Sequence, residues 1–106
     1  MSETVQTIIT ELRRQLEVLY GSRLLRMMLY GSQARGDAEP GSDIDVLVVL
    51  QGPVSPGQEI ARTSDIIAAL SLQYGVVLSR AFVSSDRFER EQSPLLMNIR
   101  REGVAV

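Results

Sequence analysis

Tyr30-Gly31-Ser32-Gln33-Ala34-Arg35-Gly36-Asp37 is followed after three residues by Gly41-Ser42-Asp43-Ile44-Asp45-Val46-Leu47-Val48-Val49-Leu50. The second half reads as a strand. Ile44 to Leu50 is almost wholly apolar and rich in β-branched side chains, and the turn residues Gly41 and Ser42 stand before it. Such a run fits a strand buried on both faces. Side chains alternate along a strand, so Asp43 and Asp45 share one face and Ile44 and Val46 take the other. Two adjacent carboxylates repel and are costly to desolvate. A divalent cation resolves that conflict, and Mg²⁺ is commonly held by one or two carboxylates plus phosphate oxygens.

The first half supplies an anion site. Arg23 to Tyr30 is a plausible strand, although its pattern alone also allows a helix. Gly31 permits close approach of a ligand to the backbone, and Ser32 can cap a short helix through Gln33-Ala34-Arg35. The N–H groups of a helix start attract anions, and Arg35 adds a charged fork for a phosphate oxygen. The connection from Gly36 to Ser42 is short. The two strands are therefore expected to be antiparallel neighbours.

Gly31-Ser32, ten further residues, then Asp43-x-Asp45 resembles the signature of the DNA polymerase beta-type nucleotidyltransferase superfamily. Within it, the Gly-Ser-x-Ala-Arg-Gly and Ser-Asp-Ile-Asp wording resembles the minimal nucleotidyltransferases, small prokaryotic domains often encoded beside a HEPN-domain partner. The likeness is dense over Leu29 to Leu50. It extends more loosely to Ser93-Pro94-Leu95-Leu96 and Ile99-Arg100-Arg101-Glu102-Gly103.

The resemblance implies that Gly31 and Ser32, with Arg35, bind the triphosphate of a nucleotide, and that Asp43 and Asp45 bind Mg²⁺ and are catalytic. It implies attack of an acceptor hydroxyl on the α-phosphorus with loss of pyrophosphate, and a third carboxylate on a later strand completing a two-metal site. Gly75 to Ser84, the candidate strand, contains no acid. Ser79 and Ala81 stand roughly where it would be, with Arg80 between them. Asp86, Glu89 and Glu91 are the nearest acids beyond.

Composition narrows the alternatives. At 106 residues the chain is expected to be a single domain, residues 1–106, burying roughly two-thirds of its unfolded surface. It has no Cys and no His, which excludes disulfides, thiol nucleophiles, Ser-His-Asp triads and conventional zinc sites. All eleven basic residues are arginine, which excludes a lysine nucleophile or a lysine-based phosphate loop. A net charge of −2 argues against tight binding to nucleic acid. The polar start Met1-Ser2-Glu3-Thr4 lacks the parts of a signal peptide, and no apolar run approaches a membrane span. A cytoplasmic location follows as the expectation.

Elsewhere the periodicity predicts a first helix, capped by Ser2 or Thr4, running to about Tyr20 with Val5, Ile8, Ile9, Leu12, Leu16 and Leu19 as its apolar stripe, ended by Gly21. Gln51 to Gly57 reads as a loop. A second helix is expected from Gln58 to Gln73, with Ile60, Ile66, Ile67, Leu70 and Leu72 inward. Gly75 begins the third strand, Asp86 to Gln92 forms a helical turn, and Pro94 opens a last helix ending near Gly103. Met27, Met28 and Met97 read as core filler. The expected fold is α/β (α+β): a small mixed sheet of three or four strands with helices mainly on one face.

Plainer assignments stand beside these. Asp43 and Asp45 also fit a solvated strand start, Gly31-Ser32 a simple turn, and Arg35 a surface ion pair with Asp37 or Glu39. Tyr30 fits core packing or a wall of the nucleotide site. Arg80 could neutralise Asp43 or Asp45 in place of a metal. Two function classes stay open. One is an Mg²⁺-dependent enzyme passing a nucleoside monophosphate, AMP from ATP, to a protein acceptor as the antitoxin of a toxin–antitoxin pair. The other is a catalytically degenerate module that neutralises a partner by contact alone. Small-molecule nucleotidylation, as in aminoglycoside-resistance enzymes, is less favoured, because those enzymes resemble this domain but carry additional substrate-binding structure; the domain is small for a deep second-substrate pocket of its own. A partner protein or a second copy could supply that wall.

Overall fold

The computed structural model describes residues 1–39 and 41–106. Helix α1 (Glu3–Tyr20) leads through a 3-10 turn (Gly21–Arg23) into strand β1 (Leu24–Tyr30). A one-turn helix α2 (Ser32–Arg35) and a connection deliver strand β2 (Ile44–Leu50). Helices α3 (Pro56–Arg62) and α4 (Ser64–Tyr74), strand β3 (Leu78–Ser84), helices α5 (Ser85–Arg90) and α6 (Pro94–Glu102) and a two-residue strand β4 (Val104–Ala105) complete the chain.

The sheet is mixed, in the order β3-β2-β1-β4. β1 and β2 are antiparallel neighbours, as expected, with Tyr30 opposite Asp45. β2 and β3 run parallel in register from Ile44↔Leu78 to Leu50↔Ser84. β4 adds to the free side of β1 through Met28↔Ala105 and Leu29↔Val104.

Alternation along the strands builds two cores. Met27, Leu29, Ile44, Val46, Val48, Leu50, Leu78 and Phe82 face α1 and α4 in the larger cluster. Met28, Leu47, Val49 and Val83 face Phe88 of α5 and Leu96 and Ile99 of α6 in the smaller one. The long helices therefore cover one face, and two short helices close part of the other. Caps place the helices: Ser2, Ser84 and Ser93 side chains accept from the N–H groups of Val5, Arg87 and Leu96. Gly21 ends α1 as read from the sequence.

Several expectations change. The single helix from Gln58 to Gln73 is two helices, because Thr63 breaks it. The buried Thr63 hydroxyl donates to the Glu59 carbonyl at 2.8 Å. The Arg80 guanidinium donates to that hydroxyl at 3.1 Å and to the Ile60 carbonyl at 2.6 Å. Side-chain bonds to backbone groups thus compete with the helix ladder at this point. Breaking the helix resets its phase, so Ile60 lies exposed while Ile67 and Leu70 are buried; Leu72 is exposed because it stands on the opposite side of α4 from those two. Tyr20 is buried at the end of α1 in place of Leu19, which is exposed. Met27 and Met28 fill core space, but Met97 is exposed on α6. Gly75 caps α4 and does not start β3, which begins at Leu78. Pro56 and Gly57 belong to α3 and not to the preceding loop. No helix among the described residues is long and apolar enough to cross a membrane.

Candidate active site

The candidate residues gather where β1 ends and β2 begins. Gly31 leaves β1 with φ 72° and ψ −153°, and Gly36 ends α2 with φ 79° in the left-handed region. Both are conformations that only glycine adopts readily. Gly31 has a second constraint. A Cβ there would lie 2.7 Å from Oδ2 of Asp45. The missing side chain is what lets the turn sit against the carboxylate. Ser32 and Gln33 open α2, so their N–H groups have no upstream helical acceptor.

Asp45 is half-buried and Asp43 exposed, one residue outside the strand. Asp45 accepts no hydrogen bond and forms no ion pair among the described residues. No fully buried side-chain oxygen among these residues lacks a partner, so the Asp45 carboxylate still reaches solvent. Burial first, and the charge of Asp43 second, hold its carboxyl above the usual carboxylate range. Tyr30 is its cross-strand neighbour, half-buried against the smaller core. Its hydroxyl is likewise raised by burial and then by Asp45. Tyr30 therefore both packs and borders the carboxylates.

Gln33 was not singled out in the sequence. Its side-chain amide reaches the Ser42 carbonyl at 3.5 Å, tying α2 to the residue before Asp43. Its place directly after Gly-Ser was the available signal. Arg35 pairs with Asp37 at 3.3 Å, both side chains exposed. A cleft of about 400 Å³ opens on the other side of this loop, toward the start of α1. Val5, Ile8, Ser42 and Ile44 are among its walls, but neither Asp43 nor Asp45 lines it.

The later acids stay apart. Asp86 pairs with Arg90 at 3.2 Å, and Glu91 pairs with Arg87 at 2.7 Å and accepts from Ser93. Glu89 lies exposed on α5. No group of three acidic residues placed to hold a metal occurs among the described residues. Arg80 does not neutralise the carboxylates. It alternates to the opposite face and is engaged with Thr63 and Ile60. Ser79 is the β3 partner of Asp45 in the parallel register.

Two carboxylates, neither in an ion pair among the described residues, suit a hard divalent ion that takes oxygen ligands.

The chain belongs to the family described as the nucleotidyltransferase domain, whose model matches residues 8–100. Its activity class is therefore nucleotidyl transfer. It is 36% identical over 83 residues to a Methanocaldococcus jannaschii protein named "Putative protein adenylyltransferase", covering 78% of this chain and 77% of that one. A solved structure described as a "putative minimal nucleotidyltransferase" superposes with TM-score 0.57 at 25% identity, covering 96% of this chain and 95% of the other. The fold also matches a toxin–antitoxin crystal structure containing AMP-PNP, with TM-score 0.61 at 20% identity over 93% of this chain and 69% of that one.

Proposed function

We propose that this protein transfers AMP from ATP, with Mg²⁺, to a hydroxyl on a partner protein, and that it acts as the antitoxin of a toxin–antitoxin pair. The observation that carries this is the half-buried Asp45, left without a compensating group against the Gly31 turn. Asp43 and Asp45 would hold the cation. Gly31 and Ser32 would seat the phosphates through the backbone. Arg35 would add a charged contact by leaving Asp37, since an exposed ion pair is worth only about 0–1 kcal/mol. When bound, Mg²⁺ supplies charge neutralisation for the triphosphate and the departing pyrophosphate. The chain's own part is positioning, with the α-phosphate held for in-line attack by an acceptor hydroxyl.

The M. jannaschii relative's name supports AMP and a protein acceptor. The toxin–antitoxin neighbour supports a nucleotide and a protein partner. A HEPN-type partner rests on the family resemblance alone. A contact-only module is the second reading, favoured by the placement of Ser79, and not an acid, beside Asp45.

The test uses ATP labelled at the α-phosphate, Mg²⁺, and host lysate in which the partner is present and bound. Label on a discrete protein with wild type, and none with Asp43→Asn/Asp45→Asn, is the expected result. Absence of label with wild type, while binding survives the double substitution, supports the contact-only module. Equal label with the double variant overturns the role given to the carboxylates.

A further inference from the structure

We propose that this site takes one divalent cation per chain, with the Ser79 hydroxyl as a third, uncharged oxygen beside Asp43 and Asp45. The inference rests on the nucleotidyltransferase reading above and narrows it to a metal count and a further site residue.

β2 and β3 are parallel and in register, so Ser79 stands on the strand next to Asp45 and on its face of the sheet. Neighbouring strands lie about 4.8 Å apart, a span that one ion with ligands on both sides can bridge. The next β3 residue on that face, Ala81, packs against the smaller core and has no donor atom. Between them Arg80 points to the opposite face and binds Thr63 and Ile60. α5 follows directly, but no group of three acids placed to hold a metal occurs among the described residues: Asp86 pairs with Arg90, and Glu89 lines a separate cleft with Arg26, Met28 and Arg100. Glu91, just beyond α5, is held by Arg87.

The protein's contribution to the site is therefore two negative charges. They balance one divalent ion. A two-metal site sets its ions about 3.5–4 Å apart, and each ion needs ligands of its own as well as shared ones. A hydroxyl in the third position offers a lone pair but no charge, so the protein adds nothing beyond Asp43 and Asp45 to offset the repulsion between two dications, and the triphosphate would have to supply the rest. The triphosphate can complete the shell of one ion, because Mg²⁺ keeps several positions for phosphate and water.

Counting ions tests this without reference to activity. Mn²⁺ replaces Mg²⁺ and is titrated into the full chain with α,β-methylene ATP, and bound metal is read by electron paramagnetic resonance. Wild type is expected to bind one Mn²⁺ per chain, with no signal from spin-coupled pairs. Ser79→Ala should still bind one, roughly fivefold more weakly, the loss of about one neutral polar contact. Ser79→Asp should bind a second Mn²⁺ and show the coupled signal.

Two coupled ions in wild type overturn the inference, as does a Ser79→Ala site of unchanged affinity. A folded Ser79→Asp protein that still binds one ion also overturns it. Should that variant fail to fold, the wild-type count decides alone. Wild type that binds nucleotide but no Mn²⁺, matching Asp43→Asn/Asp45→Asn, overturns the proposed function as well as this inference.

Discussion

Glu59 and Asp45 are two carboxylates on opposite faces of one sheet, and the fold treats them differently. Glu59 is 3% exposed. It accepts from the Tyr20 hydroxyl at 2.7 Å and has Arg62 at 3.6 Å. Tyr20 shares the arrangement, its hydroxyl held well above its ordinary range by burial first and by Glu59 second. Asp45 is more exposed, yet has no donor and no cation among the described residues and has a second acid beside it. A buried acid that serves the fold is neutralised by the fold. An acid left for something else keeps its charge unmatched. That unmatched charge is what the proposed function requires of Asp45 and what Glu59, already paired, does not offer.

The sharpest way to break this contrast is to remove each charge in turn. Asp45→Asn is expected to lower nucleotidyl transfer about a thousandfold or more, the loss of several kcal/mol of transition-state stabilisation. The metal-free variant should melt no lower than wild type, since a repelled charge is gone. Transfer assays and melting in chelator check both halves. Glu59→Ala should do the opposite. It strands the Tyr20 hydroxyl and opens space, costing about 3 kcal/mol of stability in urea unfolding while transfer per folded molecule is kept.

Gly31→Ala probes the contact between turn and carboxylate. The added Cβ meets Asp45 Oδ2 at 2.7 Å, on a backbone with φ 72°. We expect a loss of about 1–2 kcal/mol in stability and a shift in the pH dependence of metal binding, read by melting and by Mn²⁺ titration.

The smallest effect is on the pH dependence of stability. Asp45 has a raised folded-state pKa, so the folded chain holds its proton more tightly than the unfolded chain does. Its unfavourable contribution is absent below the unfolded value of about 3.9 and grows as pH rises through the raised folded value. Glu91 is lowered by hydrogen bonds from Arg87 and then Ser93, so its contribution is favourable at neutral pH and fades on acidification. In chelator, the melting difference between wild type and Asp45→Asn should shrink as pH falls through the acid range. A difference that stays constant would show that Asp45 is not destabilising when charged.

Much of this was legible in the chain. The Gly31-Ser32 and Asp43-x-Asp45 spacing specified a turn, a strand and a shared face. The short link from Gly36 to Ser42 specified antiparallel neighbours. Ser2, Gly21 and Ser93 marked helix ends by their own chemistry. What stayed hidden depended on distant partners. Nothing local shows that Arg80 would take the Ile60 carbonyl and help divide a helix at Thr63. The exposure of Ile60 follows from that division, so it was hidden too, whereas Leu72 stands two residues after Leu70 and faces away in any helix that buries Leu70 and Ile67. β4 is two residues long and exists through its bonds to Met28 and Leu29, which no local pattern specifies. Gln33 and Ser42 meet only once the loop between them is folded.

One consequence follows from the alternation in β2. A slip of one residue would turn Ile44, Val46, Val48 and Leu50 toward the smaller core and drive Asp45 into the larger one. That burial would cost several kcal/mol, against a total stability of roughly 5–15 kcal/mol for a domain. Misregistered molecules are therefore scarcely populated. The fraction of a preparation that presents its carboxylates should equal the fraction that is folded, so under the proposed function a metal titration would double as a count of native molecules.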